Sequence, residues 1–434
     1  MECRIRRKLA SLRERSPLPV GTAPIVVGLV INGATTYGFL VLARRSMGDE
    51  AYGGLAVLWG LVYILGPGLF QPLEQEVARA TASRGAKGEG SAPVLYQAAR
   101  IGGAGLLGVF AGLLVAWPLG LAGMLDHRVD LFVALVLALA AFGAAELARG
   151  ILSGRHLFDN YARYFAAEGL SRMVLAALLA ATGIAAVGPY GLTVGAAFAV
   201  ATVVAARGVR PFVHPGPPAP MRELTPALGL LLATSLSEAF LLNVGPVALS
   251  IVGDDLGPEA PGVFLNGLII SRIPLFFFQA VKASMLPALS ARAAEGDLDG
   301  FRETQLRLVA AVVVVATLAV GVIGALGPWV VEQLFGDSLT SQDMALLAAS
   351  GGGLMILVAL SLGLVALDHT RLAVVGFVVG VVAFPVALQL PHDPFLRVEI
   401  GLVAAVTAGA TCTGALLRYE FARHRNAGAI SASS

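Results

Sequence analysis

Arg272 sits in the middle of an apolar run, EAPGVFLNGLIISRIPLFFFQAVKASMLPALSAR, residues 259–292, which is long enough to cross a bilayer. A guanidinium at that depth costs from about 2.5 to about 17 kcal/mol unless it faces protein or water. Arg272 is therefore expected to point into an aqueous path, where its planar fork of donors can hold a phosphate-type anion in bidentate fashion. The alternative is a structural ion pair with Glu238, which lies mid-run in TSLSEAFLLNVGP, residues 234–246. A carboxylate at that position can also load and release a proton or Na⁺ during a cycle, so Glu238 carries a coupling reading beside the pairing one. Glu168 and Arg172 are four residues apart, acid before base, which puts them on one helix face as a local ion pair lining the cavity. Pro274 interrupts the Arg272 run and removes a backbone hydrogen bond, a defect tolerated where neighbouring helices or water satisfy the freed carbonyl.

The elements that must position these residues are membrane helices. The chain has 434 residues, of which 57% are hydrophobic and 13% charged, with mean hydropathy +0.80. Soluble domains are about 45–50% apolar and about 25% charged, so this is a polytopic membrane protein. Apolar runs fall near 22–43, 51–72, 98–120, 130–152, 164–187, 190–206, 226–252, 260–283, 305–327, 342–367, 371–391 and 396–417, which predicts twelve transmembrane helices. The first run follows Arg4, Arg6, Arg7, Lys8, Arg13 and Arg15 and has no small-x-small cleavage site after it, so it reads as an uncleaved span. Of the 30 lysines and arginines, Arg44, Arg45, Arg128 and Arg397 fall on one face and Arg172 and Arg272 within spans. The rest share the other face, and the positive-inside rule makes that face, with both termini, cytoplasmic. Only Lys8, Lys87 and Lys282 are lysines, a bias that suits a GC-rich bacterial genome.

A weak internal repeat divides the chain. LFQPLEQEVARATASRGAKG from Leu69 matches FFQAVKASMLPALSARAAEG from Phe277 at an offset of 208, pairing Phe70 with Phe278, Gln71 with Gln279, Arg84 with Arg292 and Gly88 with Gly296. Each copy covers the second helix of a six-helix half, and halves with an even number of spans repeat about an axis along the membrane normal. The expected layout is all-α: a basic tail at 1–21, a first lobe at 22–206, a linker at 207–225, a second lobe at 226–417 and a tail at 418–434. The linker region carries five prolines between Pro211 and Pro220, which suits an extended connector and not a helix.

GDEAYG at Gly48–Gly53, F-x-P-L-x-Q-E-x-x-R at Phe70–Arg79, S-R-I-P-L at Ser271–Leu275 and L-P-x-L-S at Leu286–Ser290 resemble the polysaccharide-transport branch of the multidrug/oligosaccharidyl-lipid/polysaccharide (MOP) exporter superfamily. The similarity covers essentially the full length with short, diffuse motifs. It implies a two-lobed, twelve-helix, MOP/MATE-like exporter in the bacterial inner membrane. The implied activity is moving a lipid-linked oligosaccharide, of the undecaprenyl-pyrophosphate type, from the cytoplasmic to the outer leaflet for cell-envelope polysaccharide synthesis. Partners implied are that glycolipid, the bilayer, and the glycosyltransferases and polymerase of the same pathway.

Under this resemblance the substrate-binding candidates are Arg272 for the pyrophosphate and Asn32, Asn243, Asn266 and Gln279 for sugar hydroxyls; such amides equally well bond neighbouring helices. Glu238, Glu168 and Arg172 are the coupling or ion-pair candidates. Arg84, Lys282 and Arg292 are expected at the cytoplasmic entrance, each basic residue attracting anionic headgroups by about 1 kcal/mol. Glu74, Glu76 and Arg79 are read as interfacial pairs or a gate, and Glu146 and Arg149 as interfacial and solvated. Gly351, Gly352 and Gly353 are read as close packing within the tenth helix.

Several classes are excluded or disfavoured. No G-x-x-x-x-G-K-[ST] loop occurs, so the chain hydrolyses no nucleotide through that motif. No cofactor is expected; the six histidines lack metal-ligand spacing, and Cys3 and Cys412 lie near opposite termini. Nucleic acid is not an expected partner, because the basic tail lacks interleaved aromatics and adjoins the bilayer. A non-enzymatic exporter is preferred to a membrane-embedded glycan polymerase or ligase, whose chemistry needs a sizeable outer loop, and to a scaffold without transport. The rival within the superfamily is a cation-coupled multidrug exporter, which concentrates acids in the first lobe's membrane core, where this sequence shows few charges.

Overall fold

The computed structural model describes residues 23–210, 213–224, 228–390 and 393–433, with the side chains at 23, 222, 254, 276, 279–281, 283, 284 and 424–433 outside the description. The expected basic tail and the side chain of Gln279 therefore lie outside the described residues. The described chain is all-helical: α1 Ala23–Met47, α2 Asp49–Ala86, α3 Ala92–Ala116, α4 Val129–Gly154, α5 Phe158–Ala181, α6 Val187–Val209, α7 Leu228–Val252, α8 Ala260–Ser271, α9 Ile273–Ala294, α10 Leu298–Phe335, α11 Ser341–Ala366, α12 Thr370–Ala387 and α13 Pro394–Ser433. Helices are the expected outcome, since a chain in hydrocarbon must satisfy its backbone polar groups internally. Eleven of these helices are long and apolar enough to cross a membrane. The remaining crossing, the eighth, is built from α8 and α9 in series.

That eighth crossing differs from the single kinked helix read from the sequence. Its first helix ends at Ser271, Arg272 stands at the junction with φ −91° and ψ −1°, and α9 restarts at Ile273 with Pro274 in its first turn. Proline in a first turn forfeits no intrahelical bond, whereas the residues before it resist helical conformation. The break therefore falls just upstream of the proline and leaves Arg272 at the discontinuity. The second and ninth crossings are also longer than their apolar runs, at 38 residues each. Thirty-eight residues span about 57 Å at 1.5 Å per residue, nearly twice a hydrocarbon core of about 30 Å. Hydropathy marks only the part of such a helix that lies at hydrocarbon depth.

Helix packing repeats between the halves. In the first, α1 packs on α5, α2 on α3 and α4, α3 on α4, α4 on α6, and α5 on α6. In the second, α7 packs on α12, the eighth crossing on α10 and α11, α10 on α11, α11 on α13, and α12 on α13. The pairings correspond crossing by crossing, as two six-helix lobes require. Gly352 and Gly353 serve this packing as expected, since a Cβ would meet Ala316 of α10 and Val406 of α13.

The lobes meet along two unequal seams. At one, α2 packs along α7, where a Cβ on Gly60 would stand 3.0 Å from the Asn243 carbonyl and one on Gly68 3.0 Å from the Leu236 Cα. At the other, the hydrogen bonds of α1 to the second lobe among the described residues lie toward the face away from the Arg-rich loops, through Tyr37, Arg44 and Arg45. Val26, Val27, Val30, Ile273 and Phe277, nearer the Arg-rich face, are exposed. The buried apolar residues tell the same story. The first lobe's half nearest the Arg-rich loops has a core of its own, including Leu73, Val77, Ala145 and Tyr164. Its other half shares one continuous core with the second lobe.

Candidate functional site

Short turns fix the closed end. Gly48, with φ 78°, joins α1 to α2 and brings Arg44 into contact with Asp49. Gly336, a left-handed cap with φ 80°, ends α10, and the Thr340–Asp343 capping box starts α11. Asp337 between these caps is 5% exposed; one oxygen accepts from Arg44 at 2.5 Å and the other from Asn266 at 2.6 Å. Tyr52 donates to Asn266 at 2.6 Å, and a Cβ on Gly53 would overlap the Pro258 carbonyl. Helices α1, α2 and α8 and the α10–α11 turn are thereby locked together across the two lobes. Asn266 is fully buried here and both ends of its amide are engaged, so it does not face a cavity as a sugar-binding residue would.

Arg272 lies where α1, α7 and the eighth crossing converge. Its Nη1 donates to Asn243 Oδ1 at 3.1 Å, and the side chain remains half-buried. Tyr37 of α1, beside it, donates to the Ile269 carbonyl at 3.0 Å. Among the described residues Arg272 has no carboxylate partner. Glu238, five residues from Asn243 on α7, instead faces Lys282, ten residues beyond Arg272 on α9, at 3.6 Å, with both side chains partly open to solvent at 23% and 34%. The Arg272–Glu238 pair weighed from the sequence is thus replaced by a Lys282–Glu238 pair. A buried charge without a counter-charge is costly, so this guanidinium is set to receive an anion.

Arg172 is different. It is 1% exposed and bonded by protein through both Nη atoms: Glu168 accepts at 2.6 Å, Tyr63 at 3.0 Å and Asn32 at 3.3 Å, and the guanidinium lies 5.3 Å from the Trp59 ring. The pair read from the (i, i+4) spacing is present, and it is closed inside the first lobe. Asn32 is half-buried and oriented by Arg172; Asn243 donates to the carbonyls of Tyr63 and Ala239 while accepting from Arg272.

The entrance candidates separate. Lys282 is partly exposed beside Glu238, and Arg292 pairs with Asp297 at 2.9 Å with its side chain 42% exposed. Arg84 is 4% exposed and does not face an entrance. It clamps the connector, donating to Glu223 at 2.7 and 2.9 Å and to the carbonyls of Pro217 and Pro218 at 2.8 and 3.3 Å. Arg79 donates to the Glu223 carbonyl as well as to Glu76. The guanidinium of Arg84 holds the Glu223 carboxyl below its ordinary range.

Sequence reasoning missed a buried charge cluster. Glu146 is completely buried, Glu74 is 7% exposed and Glu76 4%, so none of them is solvated or lies at an open interface. Arg149 bonds Glu146 at 2.5 Å and Glu74 at 2.9 Å. The Glu146–Arg149 spacing of three was visible, but the second carboxylate comes from another helix. Among the described residues no group of three metal-ligating side chains occurs.

Comparison with known proteins agrees with the all-helical fold. No protein-family model matches the chain. An uncharacterised protein of Mycobacterium tuberculosis (strain ATCC 25618 / H37Rv) is 27% identical over 405 residues, 90% of this chain and 89% of that one. A second from the same strain is 25% identical over 410 residues, 89% and 91%. Among solved structures, an inward-facing multidrug-resistance MATE transporter of the MOP superfamily superposes with TM-score 0.74 at 15% identity, over 93% of this chain and 99% of that one. An outward-facing multidrug-resistance MATE transporter of that superfamily gives TM-score 0.62 at 14% identity, over 94% and 95%. A Pyrococcus furiosus MOP transporter described as having a binding pocket of reversed polarity gives 0.59 at 14%, over 93% and 95%. With its lobes locked at one end and parted at the other, the chain has the fold of a MOP-superfamily membrane transporter.

Proposed function

We propose that the protein exports an anionic lipid-linked glycan, carrying its pyrophosphate head from the cytoplasmic to the outer leaflet of a bacterial inner membrane by alternating access. The observation that carries this reading is Arg272: half-buried at a helix break, bonded to a neutral amide, and without a carboxylate partner among the described residues. Its charge has no counter-charge among the described residues, and a diphosphate supplies one with bidentate geometry. Lys282 and Glu238 lie further toward the parted end, where an entering head passes them first. The Arg-rich face is the cytoplasmic one on this reading, and the Arg44–Asp337–Asn266 lock closes the outer end.

Multidrug export is the second reading, favoured by the likeness to the inward-facing multidrug-resistance MATE transporter at TM-score 0.74. An uncompensated guanidinium repels the cationic amphiphiles such exporters typically take, so an anionic cargo is preferred. The test is a vesicle assay with purified protein and a fluorescent undecaprenyl-pyrophosphate oligosaccharide. Head-group translocation that is lost in Arg272→Ala supports the proposal. Wild-type protein that moves cationic dyes and leaves the glycolipid in place overturns it.

A further inference from the structure

We infer that Glu74 and Glu146 hold one exchangeable proton between them, forming a proton-binding site inside the first lobe. The site is distinct from the Arg272 centre and goes beyond the transport reading. Glu146 is fully buried, one of its oxygens accepts from Arg149 Nη1 at 2.5 Å, and the other, Oε2, has no hydrogen-bond donor. Glu74 accepts from Arg149 Nη2 at 2.9 Å and from the Tyr161 hydroxyl at 2.7 Å. Both carboxyls thus close on one guanidinium, each from its own helix.

The charges do not balance without a proton. Arg149 neutralises one carboxylate of this pair, and Glu168 is matched by Arg172. The groups facing Glu146 are Glu74 on α2, Arg149 on its own helix, and Tyr161, Tyr164 and Glu168 on α5. Between Arg100 and Asp126 the third crossing has no titratable residue, and between Tyr190 and Arg207 neither has the sixth. Among the described residues no second cation bonds this pair, and two bare carboxylates sharing one site resist joint ionisation. A proton on either carboxyl removes the excess charge and supplies the missing donor. It arrives from water and leaves to water, and no other bond changes.

The location suits coupling. Glu74 stands two residues from Pro72 and seven from Pro67 on α2, the helix that also packs along α7 of the other lobe. Loading the pair alters the charge on the element that joins the lobes, next to interruptions in its backbone hydrogen bonding.

The experiment is infrared difference spectroscopy between acid and alkaline pH on the full chain in lipid. It is run in a Glu399→Gln background, because Glu399 is the other fully buried carboxyl with unpartnered oxygens among the described residues. A protonated-carboxyl C=O band is expected that is lost in both Glu74→Gln and Glu146→Gln. Tyr161→Phe removes a donor that favours the ionised form, so the pH at which the band vanishes should move upward. A missing band, a band surviving both glutamine variants, or an unmoved midpoint in Tyr161→Phe overturns the site. None of these readouts involves a cargo, so the result is independent of the proposed export activity.

Discussion

Arg44 and Asp337 are 293 residues apart in sequence and 2.5 Å apart across the lobes, with only 8% and 3% of their side chains exposed. Breaking a buried pair by removing one partner costs about 3–5 kcal/mol, because it strands the other charge. Asp49 remains as a second acceptor for Arg44, so Asp337→Asn is expected at the low end, about 3 kcal/mol. The same variant should unlatch the closed end. In a Cys3→Ser, Cys412→Ser background, maleimide labelling of Ile269→Cys from that face should rise several-fold.

Arg272→Ala should lose transport roughly 100-fold, about 3 kcal/mol for bidentate charged hydrogen bonds, with melting temperature preserved. Arg272→Lys, which keeps the charge without the planar fork, should retain intermediate activity. Vesicle translocation and a thermal melt measured on the same preparation check both statements.

For the closed pair inside the first lobe the expectation is opposite. Glu168→Leu leaves the Arg172 guanidinium buried and should destabilise the fold by about 3–5 kcal/mol. Adding Arg172→Met removes the stranded charge and should recover most of that loss, which a double-mutant cycle on thermal unfolding measures.

The Arg84–Glu223 clamp gives a pH dependence. Glu223 is held below the ordinary glutamate value of 4.5 by its hydrogen bonds from Arg84. The contact therefore adds stability at pH above that value and loses it as pH falls through the lower folded one. Limited proteolysis of the connector should be slow at pH 7 and accelerate only below about pH 4 in the wild type. Glu223→Gln should be cleaved rapidly throughout.

The crossings were legible because hydrophobic length is a property of single segments, and Glu168–Arg172 was legible because both partners share one helix. What the sequence could not convey was partnership between helices. Periodicity places Glu146 on a face of α4 but does not say that Glu74, 72 positions earlier, closes on the same arginine. Counting charges within apolar windows likewise missed Glu74, because it lies beyond the run at 51–72 on a helix that continues to Ala86. Arg84 aligned with Arg292 in the repeat, yet one is buried under the connector and the other exposed, since only the first lobe has a linker to hold.

The inequality of the two seams has a consequence for any cargo with a long hydrocarbon chain. The α2–α7 edge acts as the spine of a book whose opposite edge, between α1 and α9, is pinned only at its far corner. On the export reading proposed above, a head group slips between the pages from the side while its tail stays outside among the lipids, and turning the page delivers the head to the other leaflet without extracting the tail from the membrane.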